Sequence, residues 1–337
     1  MTSSNGDAVQ TPAIPIIDIE RKKGQLPPAS VVRAVDAACS GPGFIVIVGH
    51  GVADDVVNPM VDTTRQFFLQ DAAIKDTYRI APELRDLHVN NKFRGYNGGY
   101  SLVGGPPDHI EGFQMSRFES RAAMLEAGSP PEFAEGFADN IWPTWPQDFK
   151  PVWQRYFYEV KNLGDYLLEI AALALDLPHD WFAPKFSRQS SYVVANYYAA
   201  KDGPPPEGGQ RLHPHTDYGA FTILMQDTAI GGLEVEFRGG DWERVPYLPG
   251  SFVVNLGDLL AKWTNDRWVA TPHKVRIPER DEYGHDRISI PYFQHPNLDA
   301  LIETIPTCIE PGDPVRHEPV LWRDWGSLRI NQLSRAD

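Results

Sequence analysis

Residues 213 to 217 read HPHTD, so His213, His215 and Asp217 occupy every second position. In a strand, residues two apart share a face, separated by about 7 Å along the backbone. Imidazole and carboxylate side chains leaning toward one point from that spacing can close on a single ion. Spacing alone leaves two pairs open, His213 with His215 or His215 with Asp217. Pro214 argues that the strand is interrupted or begins there, which favours the second pair.

A lone H-x-D is common by chance and gains weight only if the fold brings a third ligand alongside. His273 qualifies, in the apolar, β-branched stretch WVATPHKVRI. Taken alone it would pass for a core histidine. His285 falls in a polar turn, and His295 and His317 stand beside loop-type residues. Two imidazoles and one carboxylate leave coordination positions open, the ligand set of non-haem Fe(II) oxygenases. A closed zinc site would more often use cysteine, and none is near.

A second constellation lies in RISIPYF, where Arg287 and Ser289 share a strand face between Ile288 and Ile290. An arginine pointing inward from a core strand needs an anionic partner, and its fork fits a carboxylate bidentately. That partner is either an internal Asp or Glu or a small-molecule carboxylate. Upstream, ANYYAA sets Asn196 and Tyr198 two apart, and the tyrosine hydroxyl can add a hydrogen bond to the same anion.

The elements that must position these groups follow from the pattern. IPIIDI, ASVVRAVDAACSGPG and FIVIVGHGV read as strand, helix and strand, and residues 55–75 read as a second helix with Val57, Val61, Thr64 and Phe68 on one face. Residues 80–115, rich in glycine, read as loop broken at most by short strands, and such long irregular segments tend to cover functional sites. Residues 150–177 form the clearest helix, with Tyr156, Val160, Leu163, Leu167, Ile170 and Ala174 in one stripe. From about residue 190 short strands alternate with turns, as in a sandwich or jelly roll. The last stretch reads as helix and tail.

The 337 residues are ample for a sizeable core. No apolar run approaches a membrane span, and the N-terminus lacks the pattern of a secretory signal. Cys39 and Cys308 make no disulfide framework and fit buried thiols in a reducing cytosol. A formal net charge of −14 without basic clusters argues against nucleic-acid or anionic-membrane partners. The protein is therefore expected in the cytoplasm, with a small-molecule substrate.

In this order and setting, His215-x-Asp217, His273 and Arg287-x-Ser289 resemble the 2-oxoglutarate-dependent Fe(II) dioxygenases of the isopenicillin N synthase-like family. GFIVIVGHGV, FRGY and VNLGDLLAKWTNDRWVATPHKV are similar to further elements of that family, and the likeness runs from about residue 12 to 325. Lys274 stands where the family usually has arginine, and Ala220-Phe221 where aliphatics are frequent.

The resemblance implies that His215, Asp217 and His273 bind Fe(II), that Arg287 and Ser289 bind the distal carboxylate of 2-oxoglutarate, and that Asn196 and Tyr198 lie beside the cosubstrate. His213 has no counterpart among the ligands and is set aside as a rim residue. The implied fold is mainly β with flanking helices: a double-stranded β-helix, or distorted jelly roll, behind a helical N-terminal half. One domain is expected over 1–337, with a flexible lead-in at 1–11, a helical and mixed region at 12–180, the jelly-roll core at 190–300 and a C-terminal helix and tail at 301–337.

The implied reaction uses O2 and 2-oxoglutarate to oxidise an unactivated C–H bond of a small molecule of specialised metabolism, by hydroxylation, desaturation or ring formation. It releases succinate and CO2. Candidate substrate residues are Arg94, Tyr96, Phe113, Phe221, Lys262, Trp263 and Phe293. Two alternatives are an oxidase of the same fold that uses no 2-oxoglutarate, and a non-catalytic small-molecule binder.

Overall fold

A computed structural model of the protein describes residues 14–98, 110–200, 203, 211–228, 230, 232–237 and 240–333. The expected lead-in at 1–11 and residues 99–109 of the glycine-rich segment lie outside these.

Twelve strands form two sheets. In chain order they are β1 (Ile16–Asp18), β2 (Phe44–Val48), β3 (Gly95–Gly98), β4 (Glu111–Ser116), β5 (Tyr192–Tyr198), β6 (Leu212–His215), β7 (Phe221–Gln226), β8 (Leu233–Glu236), β9 (Trp242–Arg244), β10 (Phe252–Leu256), β11 (His273–Val275) and β12 (Arg287–Phe293). The major sheet has eight strands in the order β1-β2-β10-β7-β12-β5-β4-β3, and the minor sheet has four in the order β6-β11-β8-β9. Except for the parallel pair β1–β2, every pairing in both sheets is antiparallel.

Helices α1 (Ala29–Ser40), α2 (Asp54–Phe68), α3 (Phe149–Ala174), α4 (Asp258–Trp263) and α5 (Trp322–Leu333) are the ones that bear on the site. The stripe predicted for α3 is buried in full, from Tyr156 to Ala174. It packs on the outer face of the major sheet, where the Tyr156 hydroxyl donates to the Ile290 carbonyl at 3.3 Å. Each large apolar side chain buried there contributes about 1.5–3 kcal/mol.

One expectation needs correction: the helix expected over 55–75 ends at Phe68, and a separate short turn of helix follows at Ala72–Asp76. In the segment 80–115 the short strands that the sequence allowed are β3 and β4, which pair with each other and extend the major sheet through β4–β5. Five glycines between positions 95 and 105 hid the period that marks a strand.

Inside the roll, two small apolar clusters join the sheets. One gathers Phe44, Val46, Leu233, Val235 and Val253, the other Ile110, Tyr198, Leu212 and Val275. A group of polar residues sits in the same interior.

Candidate metal and anion site

β6 and β11 are hydrogen-bonded neighbours, and their register sets His215 directly opposite His273. The register is irregular: Leu212 pairs with Val275, so three residues of β6 span two of β11. That bulge puts His215 and Leu212, rather than His215 and His213, on one face. Pro214, inside the bulge, is the sequence signal for it.

Asp217 follows β6, and one ligand atom from each of His215, Asp217 and His273 lies within 4.8 Å of the others. The Nε2 atoms of His215 and His273 stand 3.7 and 3.9 Å from Asp217 Oδ1. Their Nδ1 atoms face the backbone carbonyls of His213, at 2.8 Å, and Thr271, at 3.2 Å. A carbonyl only accepts, so each Nδ1 carries the proton and each Nε2 keeps its lone pair for a metal. His213 thus serves through its backbone.

Asp217 is fixed just as closely. Its Oδ2 accepts from Thr222 Oγ1 at 2.5 Å and from Asn255 Nδ2 at 2.8 Å, and these two residues are cross-strand partners on β7 and β10. Burial pushes the carboxyl's pKa up. The two imidazoles and the two hydrogen bonds outweigh it, and the group sits below its ordinary value. With Oδ2 occupied, Oδ1 is the oxygen turned toward the histidines. The donor set fits a divalent cation with open positions.

The loop between β6 and β7 is pinned from behind by α4. The amides of Gly257, Asp258 and Leu259 donate to the carbonyls of Ala220, Asp217 and Gly219 at 2.8, 2.7 and 3.2 Å. Only glycine permits this approach at 257, where a Cβ would lie 2.3 Å from the Gly219 oxygen. Asp258 also accepts from Thr216 Oγ1 and from Arg329 on α5, and Trp325 on α5 donates to the Tyr218 carbonyl at 3.3 Å.

The second candidate cluster lies on the neighbouring sheet. Arg287 is opposite Tyr198, and Ser289 is opposite Asn196 on one side and Gln226 on the other. Arg287 is fully buried, with its guanidinium 5.0 Å from the Tyr198 ring centre. It donates from Nη2 to Gln226 Oε1 at 3.1 Å, while Nε and Nη1 have no acceptor among the described residues. The nearby Asp227 is bonded to Arg65 on α2, which also holds Asp286. The internal salt bridge that would have explained Arg287 is therefore absent among the described residues, and its free donors fit a carboxylate ligand.

The substrate candidates divide. Phe293 lies on the same face of β12 as Arg287 and Ser289, with Tyr192 opposite and His295 near. Lys262 lies over the Trp325 ring at 5.6 Å. The other five pack away from the interior of the roll or are bonded to neighbouring residues. Phe221 and Phe113 turn to the helix side of the major sheet; Phe113 packs on Phe67, Phe149 and Trp153. Tyr96 meets Phe67 and donates to Glu111. Trp263 is enclosed by Trp181, Phe182 and Phe186. Arg94 is fully buried on Phe137 and bonded to Asn140 and the Asn90 carbonyl.

Sequence reasoning missed Thr222, Asn255 and Gln226. The signal was there in FTILMQ: Thr222 and Gln226 are the polar members of an alternating strand, so they mark its inner face. His295, outside the ligand cluster, is held neutral, its pKa pushed down to about 3 by burial.

Residues 189–296 match the model of the 2OG-Fe(II) oxygenase superfamily, and residues 14–144 match that described as the non-haem dioxygenase in morphine synthesis N-terminal region. A homoarginine-6-hydroxylase of Oryza sativa subsp. japonica is 29% identical over 325 residues, covering 92% of this chain and 94% of the relative. A probable iron/ascorbate oxidoreductase of Dictyostelium discoideum is 30% identical over 349 residues, covering 95% and 90%. A validamycin A dioxygenase of Streptomyces hygroscopicus subsp. limoneus is 27% identical, covering 90% and 81%.

Among solved structures, a 2OG-Fe(II) oxygenase family protein of Caulobacter crescentus superposes with a TM-score of 0.76 at 25% identity, covering 90% of this chain and 96% of that one. A full-length Neurospora crassa protein, solved in complex with alpha-KG and thymine, gives 0.79 at 24% identity, covering 94% and 96%, a likeness of fold.

Proposed function

Because the chain belongs to the 2-oxoglutarate–Fe(II) oxygenase superfamily, and is a 2-oxoglutarate-dependent non-haem iron dioxygenase, we propose that His215, Asp217 and His273 hold its iron and that Arg287 and Ser289 hold the distal carboxylate of 2-oxoglutarate. The observation that carries this reading is the convergence of three ligand atoms within 4.8 Å, with both Nδ1 atoms committed to backbone carbonyls.

When bound, the iron with 2-oxoglutarate and O2 supplies an oxidant strong enough for an unactivated C–H bond, with succinate and CO2 as co-products. The protein's part is to position and to exclude water. Thr222 and Asn255 fix which Asp217 oxygen faces the metal. Arg287 and Ser289, with Asn196 and Tyr198 beside them, fix the cosubstrate at its far end.

The substrate is a small molecule of specialised metabolism, held on the side of Phe293 with Lys262 near α5. Hydroxylation is the outcome most in keeping with the names of the hydroxylase relatives. A net charge of −14 disfavours a nucleic-acid or anionic-membrane partner. No helix among the described residues is long and apolar enough to cross a membrane. Two buried free thiols, Cys39 and Cys308, support a reducing cytosol.

The test is anaerobic. Fe(II) and 2-oxoglutarate together should give the visible charge-transfer band of the chelate, and a panel of small metabolites should then be screened for succinate release in air. Iron binding without the band would favour the oxidase that dispenses with 2-oxoglutarate.

A further inference from the structure

Arg211, just before β6, is 6% exposed, and its guanidinium lies 5.4 Å from the centre of the Tyr198 ring. That is the ring on which Arg287 rests at 5.0 Å. Two buried guanidinium groups thus share one aromatic neighbour. Like charges in so dry a place repel, and the arrangement is costly unless an anion accompanies them.

No carboxylate is bonded to either guanidinium among the described residues. Asp227 and Glu282 lie within electrostatic reach but are bonded elsewhere: Asp227, with Asp286, to Arg65, and Glu282 to Arg276 through both of its oxygens. Arg287 has one neutral acceptor, Gln226, and two donor atoms without any. No hydrogen bond or ion pair to a carboxylate is formed by Arg211 among the described residues. Burial and the neighbouring Arg287 both pull its pKa below the ordinary arginine value, so the two cations sense each other.

Two other arginines differ. Arg94, also fully buried, has an amide and a carbonyl as acceptors with Asp139 and Glu119 in electrostatic reach, and the partly exposed Arg65 has two carboxylates. At the Tyr198 ring two guanidinium groups meet.

We propose that Arg211 is a second cation of the pocket for the cosubstrate's distal carboxylate, and that with Arg287 it selects a 2-oxo acid carrying two negative charges. This rests on the reading that Arg287 and Ser289 take that carboxylate. Arg287 supplies the fork, and Arg211 supplies field from its place beside the same Tyr198 ring. A 2-oxo acid with a methyl group in place of the distal carboxylate gains nothing from either arginine.

The experiment measures binding of two oxo acids to the anaerobic Fe(II) protein by the visible band of the chelate. One is 2-oxoglutarate; the other is 2-oxopentanoate, of equal length without the distal carboxylate. Arg211→Gln should weaken 2-oxoglutarate about tenfold and leave 2-oxopentanoate unchanged, the size expected for one charge in a site of intermediate dielectric. Arg211→Lys, which keeps the charge, should restore most of the loss. Arg287→Gln serves as the reference.

Loss of 2-oxoglutarate binding in Arg287→Gln with none in Arg211→Gln overturns the role of Arg211 and leaves the proposed function standing. No loss in either variant overturns the anion pocket itself. An equal loss for both oxo acids in Arg211→Gln means that Arg211 is only structural, which also overturns the proposal. Should Arg211→Gln fail to fold, Arg211→Lys decides: a small loss confined to 2-oxoglutarate supports the proposal, and an equal loss for both acids overturns it.

Discussion

β7 and β12 each carry two unlike faces. On the helix side, Phe221, Ile223, Met225, Ile288, Ile290 and Tyr292 join the large core around α3. On the inner side, Thr222 holds Asp217, Gln226 holds Arg287, and Arg287, Ser289 and Phe293 line the roll. One residue of register separates packing from chemistry. The helix face consists of groups that gain by leaving water, so it secures the strands whatever the inner face holds. The inner face is then free to carry a buried arginine with unmatched donors and a buried carboxylate, neither of which would hold a fold together by itself.

The sharpest way to break this division is to remove Asp217, the proposed metal ligand that the inner face of β7 holds through Thr222. Asp217→Ala should abolish iron binding and turnover, measured by bound iron after desalting, while the melting profile stays cooperative. The ligand is buried but lies outside the helix-facing core, so its loss should not unfold the sheet. Full activity in this variant would end the assignment of the site.

A smaller effect is expected one layer out. Thr222→Val preserves shape and removes one of the two hydrogen bonds on Asp217 Oδ2. Iron affinity should fall about 10- to 100-fold, the range for partners that orient a ligand. An iron titration against a competing chelator reads this directly. An unchanged affinity would mean that Asn255 alone holds the carboxylate.

The two faces also differ in how legible they were. The helix face showed itself as apolar periodicity, as did the α3 stripe. His215 and Asp217 were legible because histidine and aspartate at alternate positions are chemically conspicuous, and His273 because it stands in an apolar strand. Arg287 and Ser289 stood out for the same reason against their isoleucines. Thr222, Asn255 and Gln226 did not, because threonine and amide side chains are common in strands and acquire their roles only through register. Asn255 matters because β10 sets it opposite Thr222.

The aromatics teach the converse. Phe113 and Tyr96 sit in a segment where glycines obscure the alternation, and Phe221 shares its face with Ile223 and Met225, on the helix side. For these aromatics the strand face, not nearness in sequence, decides whether a ring supports the site or lines it.

Paired substitutions on neighbouring residues of β12 sharpen the comparison. Ile290→Ala, on the helix face, should cost about 2–5 kcal/mol in denaturant unfolding while the folded protein binds 2-oxoglutarate as before. Ser289→Ala, on the inner face, should do the reverse: little change in stability, because no hydrogen bond of its hydroxyl to a described residue is lost, with weaker 2-oxoglutarate binding. If both variants lost stability equally and neither changed binding, the two faces would not be doing separate jobs.

His213 should give the smallest effect, and it tests the bulge. In an unbroken strand His213 would share the face of His215 and compete as a ligand. The bulge across Pro214 instead leaves the His213 carbonyl against Nδ1 of His215, so it is the backbone of His213 that orients the proposed ligand. His213→Ala keeps that carbonyl and should alter iron affinity by less than about twofold, well inside the effect of a lost orienting partner. Pro214→Gly relaxes the backbone that sets the carbonyl and should weaken iron more than His213→Ala does. The opposite order in the same chelator titration would return His213 to the list of ligands.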